Sequence, residues 1–264
     1  MGGGVNWRYV SASVTGTSHS RQDLPCQDSR LVVEVSAQDG ASYLIAIAAD
    51  GAGSAKFAQT GAELTCDAGV RHLSHVLARS TNGVEAIVPV TVVEAVRDAI
   101  RAKANELNGS MRDFACTVVA AIIGAEQTLY FQIGDGAIVA RQGDELECVF
   151  WPEGGEYANT TFFVTDADAP QRIQHRVMET SNDLALLTDG LQRLALVFST
   201  RAVHAPFFEP MFTVLRNAPD DSDDLSSSLA AFMDSEAVNS RTDDDKTLIL
   251  ISRLSGAGCD PVTG

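Results

Sequence analysis

Three apolar runs of this chain break off at the same pair of residues. "LIAIAADG" ends at Asp50-Gly51, "YFQIGDG" at Asp135-Gly136 and "LALLTDG" at Asp189-Gly190. Asp-Gly is a common turn pair, and Asp39-Gly40 reads as such a turn between two strands. A turn, however, does not need to follow a buried strand. A reactive carboxylate gains from that position, because a rigid strand end fixes a side chain better than a free loop does. Asp28 in "PCQDS" and the run Asp243-Asp244-Asp245 before the last apolar stretch bring the acidic positions to five places.

Acids this numerous cannot gather unpaired, since like charges a few Å apart disfavour one another's ionisation. Hard divalent cations resolve the conflict. Oxygen-only ligation suits Mg²⁺ or Mn²⁺, and the five histidines are not spaced with these acids as a zinc site requires. Two such ions about 4 Å apart can activate a water for in-line attack on phosphorus. Phosphoester hydrolysis is therefore the reaction class that the acids favour.

The elements that must position these acids follow from periodicity. Val10–Val14, Leu31–Val35 and Leu44–Ala49 are β-rich runs separated by turn formers. Spacing of three and four predicts a helix over about Ser54–Arg79, with Ser54 as its N-cap, and a second over about Val92–Leu107 stopped by Asn108-Gly109. Strands are expected at Cys116–Ile123, Leu129–Ile133, Ile138–Arg141, Leu146–Trp151, Thr161–Val164, Ile173–Met178, Leu184–Leu187 and Thr247–Ser252. Further helices are expected near Phe207–Arg216 and Asp224–Asp234. Short connections and paired helices between runs of strands give an α+β class, with helices covering antiparallel sheets.

Composition excludes several functions. With 19 basic against 35 acidic side chains the formal charge is −16, a field that repels nucleic acid and anionic membranes. No apolar run reaches the roughly 18 residues of a membrane span. Gly2 lacks the Ser or Thr that a myristoylation signal wants four residues later. Five isolated cysteines and no leader pattern point to a reducing, cytoplasmic setting. "GAGSAK" after Asp50 lacks the third in-register glycine of a dinucleotide site. His72 and His75 read as helix-surface residues, Cys116 as a buried structural thiol, and Phe207, Phe208, Met211 and Phe212 as core packing that could border a substrate flap.

"QDS" at 27–29, "ADGAGSA" at 49–55, "IGDGAIVAR" at 133–141, "TDGL" at 188–191 and "DDDKTLILI" at 243–251 resemble, in order and spacing, the PPM family of metal-dependent serine/threonine protein phosphatases of type 2C. "WPEGGEYANTTFFVTD" at 151–166 resembles the short bacterial subgroup. The resemblance implies one domain over residues 1–254, with 255–264 as a tail. It implies a central sandwich of two antiparallel sheets flanked by helices on both sides. It also implies two cations, Mn²⁺ or Mg²⁺, with a hydroxide bridging them attacking the phosphorus of phosphoserine or phosphothreonine on a protein, the target of a Ser/Thr kinase. By the same resemblance Asp50 bridges both metals, the Gly51 carbonyl and Asp28 each bind one, Asp189 and Asp244 complete the pair, and Asp135 with Asp189 holds a third ion.

Two positions depart from the family pattern. Where relatives carry an arginine five residues before the first metal aspartate, this chain has Asp23; Arg21 or His19 is the candidate to grip phosphate. Where animal relatives carry a histidine after the Asp-Gly pair, this chain has Ala52, leaving His19 or a metal-bound water to protonate the leaving group. Two alternatives therefore stand beside the protein phosphatase: a catalytically silent phosphoprotein-binding module, and a phosphatase of small phosphometabolites.

Overall fold

The computed structural model describes residues 6–38, 40–152, 161–219 and 223–254. Along the chain lie β1 (Trp7–Val14), α1 (Thr17–Ser20), β2 (Ser29–Ser36), β3 (Ser42–Ala49), α2 (Ala58–Leu77) and α3 (Pro89–Glu106). Then follow β4 (Val118–Ile123), β5 (Gln127–Ile133), β6 (Ala137–Gln142), β7 (Glu145–Phe150), α4 (Ala169–Arg172), β8 (Gln174–Glu179) and β9 (Asp183–Leu187). The last elements are α5 (Gln192–Ala195), the short pair β10 (Leu196–Val197) and β11 (Ala202–Val203), α6 (Ala205–Asn217), α7 (Asp223–Met233), α8 (Glu236–Asn239) and β12 (Lys246–Arg253).

Two five-stranded antiparallel sheets form the centre, ordered β1-β12-β9-β6-β7 and β2-β3-β4-β5-β8. Their strands alternate between two apolar faces. In β3, Leu44, Ala46 and Ala48 face the other sheet and meet Leu186, Ile249 and Ile138, while Ile45 and Ile47 face outward onto α2 and α3. In β12, Ile249 and Ile251 point inward while Leu248 and Leu250 meet Phe208, Phe212 and Met233 beyond the other face. A strand covered on both sides has no polar face to show, which is why these runs read as continuous apolar stretches. The layers are helix, sheet, sheet, helix, as the α+β reading expects.

Two local readings need correction. The first long helix begins at Ala58, and Ser54 does not cap it: residues 52–57 form turns, and Phe57 occupies the N-cap position without a side-chain bond. The cause is competition for the backbone, since the Ala52 amide donates to Ala115 and the Phe57 amide to Asp113. Residues 161–164 form no strand. Only the Val164 amide reaches a neighbouring segment, at the Cys116 carbonyl, and Arg97 takes the Val164 and Asp166 carbonyls. Asp39, residues 153–160 of the "WPEGGEYANTTFFVTD" stretch and the tail 255–264 lie outside the described residues.

Candidate metal centre

The five acidic places converge at the seam between the two sheets. Asp28 precedes β2 and Asp50 follows β3, both in one sheet; Asp189 follows β9 and Asp244 precedes β12 in the other. Asp135 sits in the turn that crosses between them, from β5 to β6. Carboxylate oxygens of Asp50, Asp135 and Asp189 lie within 4.8 Å of one another, the one cluster of potential metal-ligating side chains among the described residues. Asp28 and Asp244 stand outside that trio but close enough for their charges to act on Asp50. Asp243 and Asp244 are both exposed, but of the two only Asp244 is among the charges that act on Asp50.

Hydrogen bonds between the loops hold this geometry. The Asp50 amide donates to Thr117 Oγ1 at 3.1 Å, and the Thr117 amide returns a bond to the Asp50 carbonyl at 2.8 Å. Thr188, next to Asp189, donates its hydroxyl to Asp28 at 2.7 Å and accepts the Thr247 amide at 2.9 Å. Thr161 donates to Asp135 at 2.6 Å, and the Gln192 side-chain amide to the Asp135 carbonyl. The glycine after Asp50 answers the question its pairing poses. A Cβ on Gly51 would lie 2.6 Å from the Ala58 carbonyl oxygen and 2.7 Å from that of Gln27, so no larger residue lets these backbones meet.

Asp245 is the clamp under the site. Only 3% exposed, it accepts the Gly16 amide at 2.6 Å, the Gln27 amide at 2.5 Å and His19 Nδ1 at 2.9 Å. It thereby fixes the loop that carries Asp28 against the strand that carries Asp244. Beside it Lys246 is fully buried, with Nζ on Asn239 at 2.9 Å. Arg21 is exposed at the C-terminal end of α1, and Asp23, in the family's arginine position, adopts a left-handed φ of 54°. His19 stands near enough to Asp244 for its charge to act there.

The electrostatics record an arrangement short of positive charge. Burial pushes the Asp28 carboxyl up to about 7, with repulsion from Asp245 and Asp189 added and hydroxyl bonds from Thr188 and Thr247 opposing. Burial, then repulsion from Asp135 and Asp244, likewise raises Asp189 to about 7. Asp50 is raised well above the carboxylate range by burial and by the charges of Asp28, Asp189, Asp244 and Asp135. Burial raises Asp244 as well. One oxygen each of Asp28 and Asp135 is buried without a hydrogen-bond partner. Buried acceptors left unpaired beside mutually repelling carboxylates fit hard divalent cations, which satisfy both deficits at once.

The other sequence candidates behave as structural residues. His72 Nε2 meets Thr91 at 3.2 Å, burial lowers its pKa, and neither it nor His75 joins a metal-ligating group among the described residues. The Cys116 thiol is buried against Thr65 and pushed up to about 12, which keeps it from acting as a nucleophile. Sequence reasoning passed over Thr117, Thr188 and Thr247. The signal was present: each is a threonine at the end of an apolar strand, beside or opposite a site aspartate.

Comparison with known proteins agrees with this geometry. The family described as protein phosphatase 2C matches residues 15–234. Serine/threonine-protein phosphatase 3 of Escherichia coli K12 is 39% identical over 248 residues, 93% of this chain and 98% of that protein. Among solved structures, serine/threonine phosphatase Stp1 from Staphylococcus aureus superposes with a TM-score of 0.61 at 15% identity, over 97% of this chain and 98% of that one. The catalytic domain of the phosphatase PstP, solved with two manganese ions, gives 0.59 at 14% identity over 94% and 99%. With its acids gathered at the seam of the sandwich, the chain belongs to the protein phosphatase 2C family.

Proposed function

We propose that this protein is a metal-dependent phosphatase that hydrolyses phosphoserine and phosphothreonine on proteins, opposing a Ser/Thr kinase in the cytoplasm. One observation carries the reading: the carboxylates of Asp28, Asp50, Asp135, Asp189 and Asp244 meet at the sheet seam, where burial and mutual repulsion raise the pKa values of Asp28, Asp50, Asp189 and Asp244. We assign residues 1–254 to the catalytic domain and 255–264 to a tail.

Asp28, Asp50, Asp189, Asp244 and the Gly51 carbonyl would hold a pair of Mn²⁺ or Mg²⁺ ions, and Asp135 with Asp189 a third. When bound there, the cations supply the positive charge that acidifies a water and offsets the charge of the phosphoryl oxygens. The remaining work falls to the chain itself. Thr188 and Thr117 orient Asp28 and Asp50, while Asp245 fixes the loop of Asp28. Arg21, exposed and without an ion pair among the described residues, reaches for the substrate phosphate. His19 gives its Nδ1–H to Asp245, so Nε2 is the atom that, in the doubly protonated imidazolium, would deliver a proton to the departing alkoxide and leave the neutral ring behind. The complete acid set favours an active enzyme over a silent phosphoprotein-binding module.

The test is turnover of a phosphothreonine peptide by Mn²⁺-loaded protein. Activity should vanish in EDTA and in Asp50→Asn, and should exceed activity on sugar phosphates by at least tenfold in kcat/KM. Metal-independent turnover, or a preference for sugar phosphates, overturns the reading.

A further inference from the structure

On the face of the sandwich away from α2 and α3, a cleft of about 760 Å³ opens between α6 and α7. Its floor is Val10 of β1, Leu250 of β12 and Leu215, all nearly fully buried. Phe207, Met211 and Val214 form one wall, and Leu225, Leu229 and Phe232 the other. Val214 and Phe232 remain 56% and 42% exposed, so the apolar surface reaches the mouth.

Among the described residues the charged side chains of the rim are arginines. Arg193 of α5, Arg241 after α8 and His204 before α6 line the cleft, and no acidic side chain of the described residues does. Neither arginine makes an ion pair among the described residues. In a chain that carries 35 acids against 19 bases, an apolar cleft whose arginines have no acidic neighbour in its lining among the described residues is a local exception to the composition. Its volume lies inside the range of about 300–1,000 Å³ found for small-molecule sites.

We infer that this cleft is a binding site for a free single-chain amphiphile, an aliphatic tail ending in a carboxylate. The tail replaces water over the floor of Val10, Leu215 and Leu250, and the headgroup pairs with Arg193 and Arg241. A soluble amphiphile fits better than a bilayer, because the formal charge of −16 opposes approach to an anionic membrane. The site is separate from the acids of the sheet seam. Its cationic rim nevertheless stands close in sequence to them, Arg193 four residues after Asp189 and Arg241 three before Asp244.

Isothermal titration of the full chain in EDTA with octanoate, decanoate and dodecanoate, each below its micelle threshold, tests this. One site per chain is expected, with affinity rising about fourfold per added CH₂. The double variant Arg193→Glu/Arg241→Glu, and separately Val214→Arg at the exposed wall, should each weaken decanoate at least tenfold with unchanged melting. Dodecyltrimethylammonium should not bind. Absence of saturable heat, equal affinity for the cationic amphiphile, or indifference to both variants overturns the inference. So does tighter binding to phosphatidylglycerol vesicles that the same substitutions abolish, which would make the surface a membrane contact. Since neither metal nor phosphate is present, failure here leaves the phosphatase reading standing.

Discussion

Replacing Asp189 by asparagine should stabilise the metal-free protein while destroying its metal-dependent turnover. Burial and the charges of Asp135 and Asp244 hold the Asp189 carboxyl at about 7 in the folded chain. Against roughly 3.9 in an unfolded chain, that is about 3 pH units, or about 4 kcal/mol lost from folding once the group is ionised. The folded pKa is the higher one, so the folded state binds the extra proton. Its stabilising effect is full below about pH 4 and is lost as pH rises through about 7. Asparagine never ionises and escapes that loss.

The bonds from Asp50 and from the Gly190 amide are already contained in that value, but Asp189 is only partly buried, and water screens part of the repulsion. About half should survive, giving about 2 kcal/mol at pH 8 and about half of that at pH 5.5. For a chain of this length 2 kcal/mol corresponds to about 4–8 °C in Tm. Urea unfolding in EDTA at the two pH values measures the effect, and a phosphothreonine-peptide assay with Mn²⁺ measures the loss. A variant no more stable than the parent at pH 8, or equally stabilised at both pH values, would refute the account of strained carboxylates. Retained turnover would remove Asp189 from the site.

Other substitutions probe the supports. Asp245→Ala strands two buried backbone amides and His19, so unfolding in urea should show a loss of about 3 kcal/mol, only partly recovered by Asp245→Asn, whose NH2 replaces one of the two accepting oxygens. Gly51→Ala pushes a methyl against the Ala58 and Gln27 carbonyl oxygens; Mn²⁺ affinity by calorimetry should fall at least tenfold while helix content by circular dichroism stays unchanged. Asp183, 1% exposed, accepts Arg141 Nε at 2.7 Å, Arg216 Nη1 at 2.5 Å and Ser252 Oγ at 2.7 Å, binding β6, β12 and α6 together. Asp183→Ala should therefore cost about 3–5 kcal/mol in chemical denaturation, far from the catalytic acids.

What could be read in the sequence was whatever packing on both sides writes into it. Leu44–Ala49 and Leu184–Leu187 are covered by a sheet on one face and helices on the other, so they read as unbroken apolar runs with clear ends. The aspartates at those ends could be named in advance for the same reason. Residues 54–57 and 161–164 were misread because bonds to distant parts of the chain decide their shape. The Ala52 and Phe57 amides go to the 113–115 segment, and Arg97 occupies the carbonyls around Val164. No local period encodes such bonds. The cleft between α6 and α7 was invisible for a related reason: Phe207, Met211, Leu225 and Leu229 carry the signature of core residues, and only the spacing of two helices turns part of that core into a cavity.

The positions of the acids along the chain explain why the site sits where it does. Asp28 and Asp50 belong to one sheet, Asp189 and Asp244 to the other, and Asp135 to the turn between. Inside the sandwich, Ile138, Leu186 and Ile249 bind the sheets together by apolar contact. At the seam the same sheets present mutually repelling carboxylates, raised in pKa and lacking partners for oxygens of Asp28 and Asp135. Folding energy from the core holds the acids in a geometry they would not adopt alone, and a cation bound between them would relieve the repulsion and cross-link the sheets in one event. Ligand binding that favours only the folded state adds to its stability by mass action. The local instability of this end and its affinity for divalent ions are thus two consequences of one arrangement, and weakening either should weaken the other.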